Sequence, residues 1–464
     1  MKTHLRTLTI VISLLAGLGA TSCASSPQST ARANLAHRAG QYTNVSQPLA
    51  DRGREVDPID KQDSLTLGTA LRIASEANPE LKEAFYRWTA AVERISPAGA
   101  LPDPNLNFGY FLENVETRVG PQEFRVGLSQ MFPWFGTLKL KGDIAAYGAL
   151  AAEEQFESVR DRLYRDVVVA YVDYYYLQRS IAITDENLRL VAGAEAVART
   201  RYQTGEGMYA NVLRAQTELA RLENELLSLN DRLRPVRARL NELLNRPIGD
   251  PLPPAAGLPP DTLEWSDDDV LSHVRHHNPA LLRASRLAEK AETAERLAAR
   301  RFYPNLMVGF DYISTGEARM PGVLDSGKDP VIGMIGINIP IWRGAYKAAQ
   351  REAVAMRRST EYALSAQTNA ILSETEQALY AYRDAERQVA LYNTALLPKA
   401  EQALAATQKS YEAGSMSFID FLDAQRTLLN MDLAYERAQS DRLKQLARLR
   451  MLIGGAFDTT EDSN

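Results

Sequence analysis

Hydrophobic and polar residues recur along this chain in two rhythms, and each rhythm predicts an element. From Thr137 to Arg201 there is no proline, and alanine, leucine, glutamate and arginine dominate. One helix of about 65 residues is expected there, roughly 100 Å long at 1.5 Å per residue. The turn QTGEG (203–207) then breaks it through Gly205 and Gly207. The return segment carries Val212, Ala215, Leu219, Leu222, Leu226, Leu229, Leu233, Val236, Leu240 and Leu243 in strict 3–4 spacing. Such a seam, sustained over about four heptads, is that of a coiled coil. Pro235 falls inside it and predicts a kink, because proline removes a helical hydrogen bond. After a second turn at Gly414 the seam returns as Phe421, Ala424, Leu428, Met431, Tyr435 and Ala438. Helices of this length do not belong to a compact globule; they build a rod or a tube wall.

A period of two marks the other elements. Leu106, Phe108, Tyr110 and Leu112 alternate with Asn105, Asn107 and Gly109, and Phe124, Val126 and Leu128 alternate with Arg125, Gly127 and Ser129. Further on, Leu306, Val308, Phe310 and Tyr312 form one run, and Ile335, Ile337 and Ile339 alternate with Gly336 and Asn338. Each run is about 8 to 11 residues with one apolar face, the length and pattern of a membrane β-barrel strand. A soluble sheet packed on the helices would alternate in the same way.

The order of these elements occurs twice. Asn78-Pro79-Glu80-Leu81 returns as Asn278-Pro279-Ala280-Leu281, and Pro104-Asn105-Leu106 with Gly109 returns as Pro304-Asn305-Leu306 with Gly309, both 200 residues later. Tyr202, Gly205, Leu213, Ala215 and Gln216 return as Tyr411, Gly414, Leu422, Ala424 and Gln425, 209 residues later. Two units therefore share one plan of helix, strand pair, very long helix, tight turn and return helix. They span residues 65–250 and 267–456, with a proline-rich linker at 251–266 and a short tail, expected to be disordered, at 457–464. Length alone would have suggested about three domains.

Composition narrows the class. Charge is nearly balanced, 53 basic residues against 58 acidic ones, and the basic residues are spread among the acidic ones rather than clustered. No nucleic-acid footprint results. Past the N-terminus no apolar stretch is long enough for a transmembrane helix. Cys23 is the only cysteine, so no intramolecular disulfide is expected. A lone thiol can be a small buried residue, but its surroundings fit a modification site. Lys2 and Arg6 precede the apolar run Leu8 to Ala20, and Ala20, Thr21 and Ser22 are small. Residues 1–22 resemble a bacterial lipoprotein signal, although Ala20 stands where leucine is usual. Cys23 would then carry a covalent lipid, with Ala24 and Ser25 pointing to the outer membrane. Residues 23–64 are polar and read as a lipidated tether or extended arm.

A lipoprotein signal favours the membrane reading of the strands. Four strands cannot close, since membrane barrels start at about eight and open edges are not tolerated in lipid. Three copies would supply twelve strands and gather the helices into a tube.

With the duplicated plan, the Asn-Pro-x-Leu and Pro-Asn-Leu pairs and the turn SYEAGSMSFIDFLDAQ (410–425), the sequence resembles the TolC-type outer membrane factor family over nearly all of residues 65 to 456. The resemblance implies a mainly α protein with a small β part. Duplicated helical hairpins would form an α-barrel, and four strands per chain would enter a 12-stranded transmembrane barrel in a homotrimer. It also implies an outer membrane channel of a tripartite efflux or type I secretion system, extending into the periplasm. A periplasmic adaptor and an inner-membrane pump would be its partners. GALPDP (99–104) and MFPWFG (131–136) resemble the heavy-metal efflux branch. A periplasmic adaptor or a structural coiled-coil lipoprotein are the other classes to weigh, and neither calls for the strand pairs.

Candidate chemistry then gathers at the hairpin tips. Asp420 and Asp423 lie three residues apart on one helical face, with Asn211 and Arg214 at the matching places of the first unit. They are either N-terminal helix stabilisers or, in three copies, a carboxylate ring at a periplasmic gate. On the second reading Arg214 could pair with them and hold the closed state, with Tyr411 packed nearby. Met416 stands where the family pattern has a basic residue, so its tyrosine–arginine–aspartate latch is not expected intact. No catalytic motif appears, and neither an enzyme activity nor a cofactor other than the lipid is expected. GVLDSGK (322–328) approaches a phosphate loop, but Asp329 replaces the Ser or Thr that would hold the metal, and a hairpin loop is expected. His273, His276 and His277 have metal-compatible spacing but precede Asn278-Pro279, where polar residues ending a helix are expected. Tyr174, Tyr175 and Tyr176 cannot share one face, and read as packing plus lumen lining.

Overall fold

The computed structural model describes residues 26–42, 59 and 63–455. The signal segment, Cys23 and the tail at 457–464 lie outside the described residues. The fold is mainly α with one four-stranded sheet. The polar arm departs from the extended tether expected of it, because Pro27–Tyr42 forms a helix, α1. Its apolar contact is short, with Ala31 buried in the main core and Leu35 packed against it, and polar bonds flank it, which hides it from a hydrophobic pattern. Gln28 donates to Asp143 and Asn34 to Glu153, both at 2.9 Å, and Arg38 pairs with Glu157 at 3.1 Å.

In the first repeat, α2 (Leu67–Ala77) and α3 (Pro79–Glu93) meet at Asn78. The Asn78 carboxamide oxygen accepts from the Glu80 and Leu81 amides, while its Nδ2 donates 3.0 Å to the Leu243 carbonyl at the end of the return helix. Asn278 does the same between α7 (Asp267–His277) and α8 (Pro279–Arg300), donating 2.7 Å to the Leu452 carbonyl. The duplicated Asn-Pro pair is thus a device. Proline opens a helix where its missing N–H costs nothing, and asparagine caps it while tying it to its own repeat's far end.

A short helix α4 (Ile95–Gly99) leads into β1 (Asn105–Thr117) and β2 (Gly120–Phe132), and then the 67-residue α5 (Thr137–Gln203) and the return helix α6 (Tyr209–Leu243). The kink expected at Pro235 does not divide α6, which runs on as one helix. Pro235 is on the exposed side, where water can take the orphaned carbonyl. Every expected seam residue from Val212 to Leu243 is buried or half-buried. The second repeat supplies β3 (Leu306–Thr315), β4 (Val331–Ile337), α9 (Arg343–Leu391), a π-helical turn (Tyr392–Leu396), α10 (Leu397–Glu412) and α11 (Phe418–Ile453). GVLDSGK lies in the connection between β3 and β4.

The two long ascending helices are out of step by one residue, and the π turn accounts for it. Above it the buried residues Leu163, Val167, Ala170, Tyr171 and Leu177 match Ile371, Thr375, Ala378, Leu379 and Ala385 at an offset of 208. Below it Val191 matches Ala400 and Tyr202 matches Tyr411 at 209. One extra residue is absorbed as a single wide turn just before Pro398, which cannot take an α-helical N–H bond.

Tyrosines of α5 fasten the linker. Tyr171 donates to the Leu65 and Gly257 carbonyls at 3.0 and 2.8 Å, and Tyr174 to the Leu252 and Pro253 carbonyls at 3.1 and 3.2 Å. Tyr175 donates instead to Glu436 of α11, 3.3 Å away.

The strands pair antiparallel in the order β1-β2-β3-β4, so β2–β3 joins the two repeats. Register aligns Phe108 with Val126 and Tyr312, and Leu128 with Phe310. One face is therefore apolar across all four strands. The opposite face carries Asn107, Gly109, Arg125, Gly127, Ser129, Gly309 and Asp311. β4 stops at Ile337, short of the expected Ile339, because Pro340 follows.

Candidate gate and pore wall

The hairpin tips are built alike from the backbone up. In the first, the Gly205 amide donates to the Tyr202 carbonyl and the Glu206 amide to the Arg201 carbonyl. In the second, the Gly414 amide donates to Tyr411 and the Ser415 amide to Ser410. These paired bonds close a Schellman turn, which requires a left-handed residue. Gly205 and Gly414 provide it, with φ of 81° and 75°. Gly207 serves differently, since a Cβ there would stand 3.0 Å from the Arg201 Cβ.

Between the tips sits a small separate core of Val191, Ala198, Val212, Leu222, Tyr411, Phe418, Phe421 and their neighbours. Tyr411 is buried and stacks on Phe421, with centroids 5.7 Å apart. The Arg201 guanidinium lies 4.7 Å over the Tyr411 ring and donates to the Tyr411 and Glu412 carbonyls at 3.1 and 2.9 Å. One cation thus covers an aromatic face and satisfies two helix-end carbonyls.

The two aspartates differ in role. Asp420 completes a capping box, since the Ser417 hydroxyl accepts from the Asp420 amide at 3.3 Å and the Asp420 carboxylate accepts from the Ser417 amide at 3.2 Å. Asp423 keeps an exposed side chain, with Arg426 3.6 Å away. Arg214 does not take the expected place beside them. It is exposed, and within the chain it forms no ion pair with either aspartate among the described residues.

Local spacing did not reveal the charged link that joins the two hairpins at the tip. Glu218 of α6 is buried and accepts from Arg221 at 2.8 Å and from Arg426 of α11 at 2.6 Å. Burial pushes the Glu218 carboxyl up, but the hydrogen bonds from Arg221 and then Arg426 hold it below the ordinary glutamate range. Glu195 is held low in the same way by Arg199, against its burial, with help from Gln216. A signal for Glu218 existed. It lies three residues after Ala215 and four before Leu222, a charged residue at seam spacing.

Higher in the same bundle, burial and then Glu401, Glu186 and Glu436 push Asp432 up to about 6, with Arg179 opposing. At the end of α7 the rings of His273 and His277 stack at 3.9 Å, and Trp265 meets His273 edge-on at 4.8 Å. The His277 Nδ1 lies 3.1 Å from the His273 carbonyl. Among the described residues no group of three or more His, Cys, Asp or Glu has the arrangement to hold a metal ion.

The sheet supplies the other wall. Its apolar face is open: Phe108, Phe310, Ile335 and Ile337 are each more than half exposed. Among the described residues the outer edges of β1 and β4 pair with nothing. No described helix is long and apolar enough to cross a membrane.

A sheet with an exposed apolar face and two open edges, continued by a pair of helical hairpins about 100 Å long, defines one protomer of a membrane-spanning channel. The family model for outer membrane efflux proteins matches residues 70–246 and 270–455. The chain belongs to that family, and it is an outer membrane channel of an efflux system. It is 26% identical over 330 residues to the outer membrane protein OprJ of Pseudomonas aeruginosa, covering 70% of this chain and 68% of the relative. It is 23% identical over 403 residues to the cobalt-zinc-cadmium resistance protein CzcC of Cupriavidus metallidurans, covering 84% and 91%. Crystallised CusC superposes with a TM-score of 0.72 at 18% identity, covering 84% of this chain and 92% of that one. The family is one of transport channels rather than enzymes.

Proposed function

We propose that three copies of this chain form the exit duct of a tripartite efflux system, working with a periplasmic adaptor and an inner-membrane pump. The observation that carries this is the four-stranded sheet, whose apolar face and free β1 and β4 edges demand both lipid and further strands. Edge joined to edge, three sheets close a 12-stranded barrel with no unpaired backbone left in the bilayer. Cys23 carries a lipid that tethers the arm to the outer membrane. The tips form the gate, where Asp420 and Asp423 of three chains ring the periplasmic mouth. Arg214 of one copy meets the acidic pair of the next, and Tyr411 holds the tip core in register. The cargo is a small solute. GALPDP and MFPWFG favour metal ions over drugs, while the overall likeness is nearly equal for CzcC and for a toluene efflux protein.

Detergent-extracted protein is expected to be a trimer by light scattering and to conduct in planar bilayers. A stable monomer, or a trimer without conductance, refutes the duct. Cys23→Ala is expected to abolish incorporation of labelled palmitate while leaving the trimer intact. Wild-type protein that takes up no label refutes the anchor.

A further inference from the structure

Over the segment that pairs without a register shift, the face of the sheet opposite the apolar one has one charged pair, while Glu113, Glu116 and Glu123 lie at or beyond the shifts. Over the mutually paired segments it carries Asn105, Asn107, Gly109, Gly127, Ser129, Gly309 and Gly336 beside methionine and isoleucine. The charged pair is Arg125 of β2 and Asp311 of β3, which bond to each other across the seam between the repeats. The two members are presented unequally. The Asp311 side chain is 3% exposed and the Arg125 side chain 49% exposed. Glycine causes the difference, because Asp311 lies over Gly127, where an added Cβ would fall 2.2 Å from its Oδ1. The carboxylate is thus set into the wall and the guanidinium stands out from it.

Only Nη2 of Arg125 bonds to Asp311. A guanidinium has five N–H donors in a rigid fork, so most of the fork faces open space. A fork of this kind takes a carboxylate or phosphate through two parallel hydrogen bonds. The pair also breaks the internal repeat. Arg125 aligns with Met334 at an offset of 209, and Asp311 with Phe111 at 200, so the second seam of each chain has no such charges.

We propose that Arg125 is a selectivity residue of the outer-membrane section of the pore. It forms a threefold collar of guanidinium groups that attracts the carboxylate or phosphate groups of anionic solutes. The inference rests on the trimeric barrel, which places the apolar face in lipid and this face in the lumen. Asp311 is the positioning residue, holding each arginine upright and masked from behind. The collar acts at the opposite end of the duct from the acidic tips.

Single-channel recording tests it with citrate as the probe, added on the extracellular side of oriented trimers in a potassium chloride gradient. Wild-type channels are expected to be blocked by citrate, less so as salt rises and screens the charge. Arg125→Gln is expected to lose that block and to shift the reversal potential toward that of potassium. Arg125→Lys, which keeps the charge but not the fork, should retain the reversal potential and weaken the citrate block. Arg125→Gln channels with unchanged reversal potential and unchanged block overturn the proposal and reduce the pair to a staple between β2 and β3. If Arg125→Gln does not assemble, Arg125→Lys decides, and a citrate block equal to wild type overturns the fork. Wild-type protein that forms no pore refutes the trimeric duct itself, and the collar falls with it. A pore that citrate never blocks refutes the collar alone.

Discussion

At the scale of single residues, spacing located the tips but not the bonds that lock them. Gly205, Gly414, Asp420 and Asp423 are legible because a turn and a helix start are local, set by residues three to five apart. The Glu218–Arg426 and Arg201–Tyr411 links join positions more than 200 residues apart. They depend on how two hairpins interlock, which spacing does not encode. The structure also separates two aspartates that spacing treats as equals. Because Asp420 closes a capping box while Asp423 is exposed beside Arg426, Asp423→Asn is expected to carry most of any loss of cation selectivity. Asp420→Asn should instead lower thermal stability, by about 0.5–1 kcal/mol for a weakened cap. Bilayer reversal potentials and melting in detergent read the two effects separately. Glu218 makes the tip link sensitive to strong acid. Its carboxyl is held below the ordinary glutamate value of 4.5, so its contribution is complete above that pH and is lost as pH falls below it. Resting conductance is expected to rise as the bath is acidified through and below the ordinary glutamate range, and Glu218→Gln should raise it already at neutral pH. Removing that charge costs about 1–2 kcal/mol, a modest figure because both arginines are half-exposed. A variant whose conductance stays at the wild-type level at both pH values would leave the link without a gating role.

At the scale of elements, helix, strand and repeat were legible because each has a period that survives over many turns. The arm helix α1 was not, since its apolar contact rests on Ala31 and Leu35, too short a stripe to read, with Gln28, Asn34 and Arg38 bonded beside them. The π turn was hidden for another reason. It appears in the sequence only as a change of offset between two distant copies, and the sequence does not say where along the helix the extra residue lies. The buried positions place it between Ala385 and Ala400. This gives a prediction that distinguishes an absorbed insertion from an ordinary helical residue. Deleting Thr394 together with Pro398→Ala should convert Tyr392–Leu396 to α-helix, restore an offset of 208 throughout and change trimer stability by no more than about 1 kcal/mol. Deleting Ala403 instead leaves the π turn and rotates everything beyond it by about 100°. Tyr411 would swing off Phe421, and about 3 kcal/mol of core packing would be lost. Thermal melting of the trimer compares the two deletions. Equal losses would mean that the π turn is not the site of the insertion.

At the scale of the whole molecule, closure follows from counting. Four strands with an apolar face and free edges cannot stand in lipid, so the assembly was legible wherever the membrane was. What the alternation of single strands left open was how their faces line up, and register gathers most of the large apolar side chains on one face and most of the glycines on the other. Neighbouring residues of β4 then have opposite environments. Ile335 lies on the apolar face, 80% exposed, and Met334 points the other way, beside Gly309. Ile335→Arg is expected to cost about 2–4 kcal/mol near the bilayer midplane, less toward the interface, and so to deplete membrane-assembled trimer. Met334→Arg places the same charge in a water-filled lumen, where it should leave assembly intact and shift conduction toward anions. Cell fractionation and the heat-dependent shift of the trimer on a gel measure the first, and single-channel recording the second. Arginine tolerated equally at both positions would mean that neither face of the sheet meets lipid, and the hairpins would then belong to a periplasmic rod rather than to a duct.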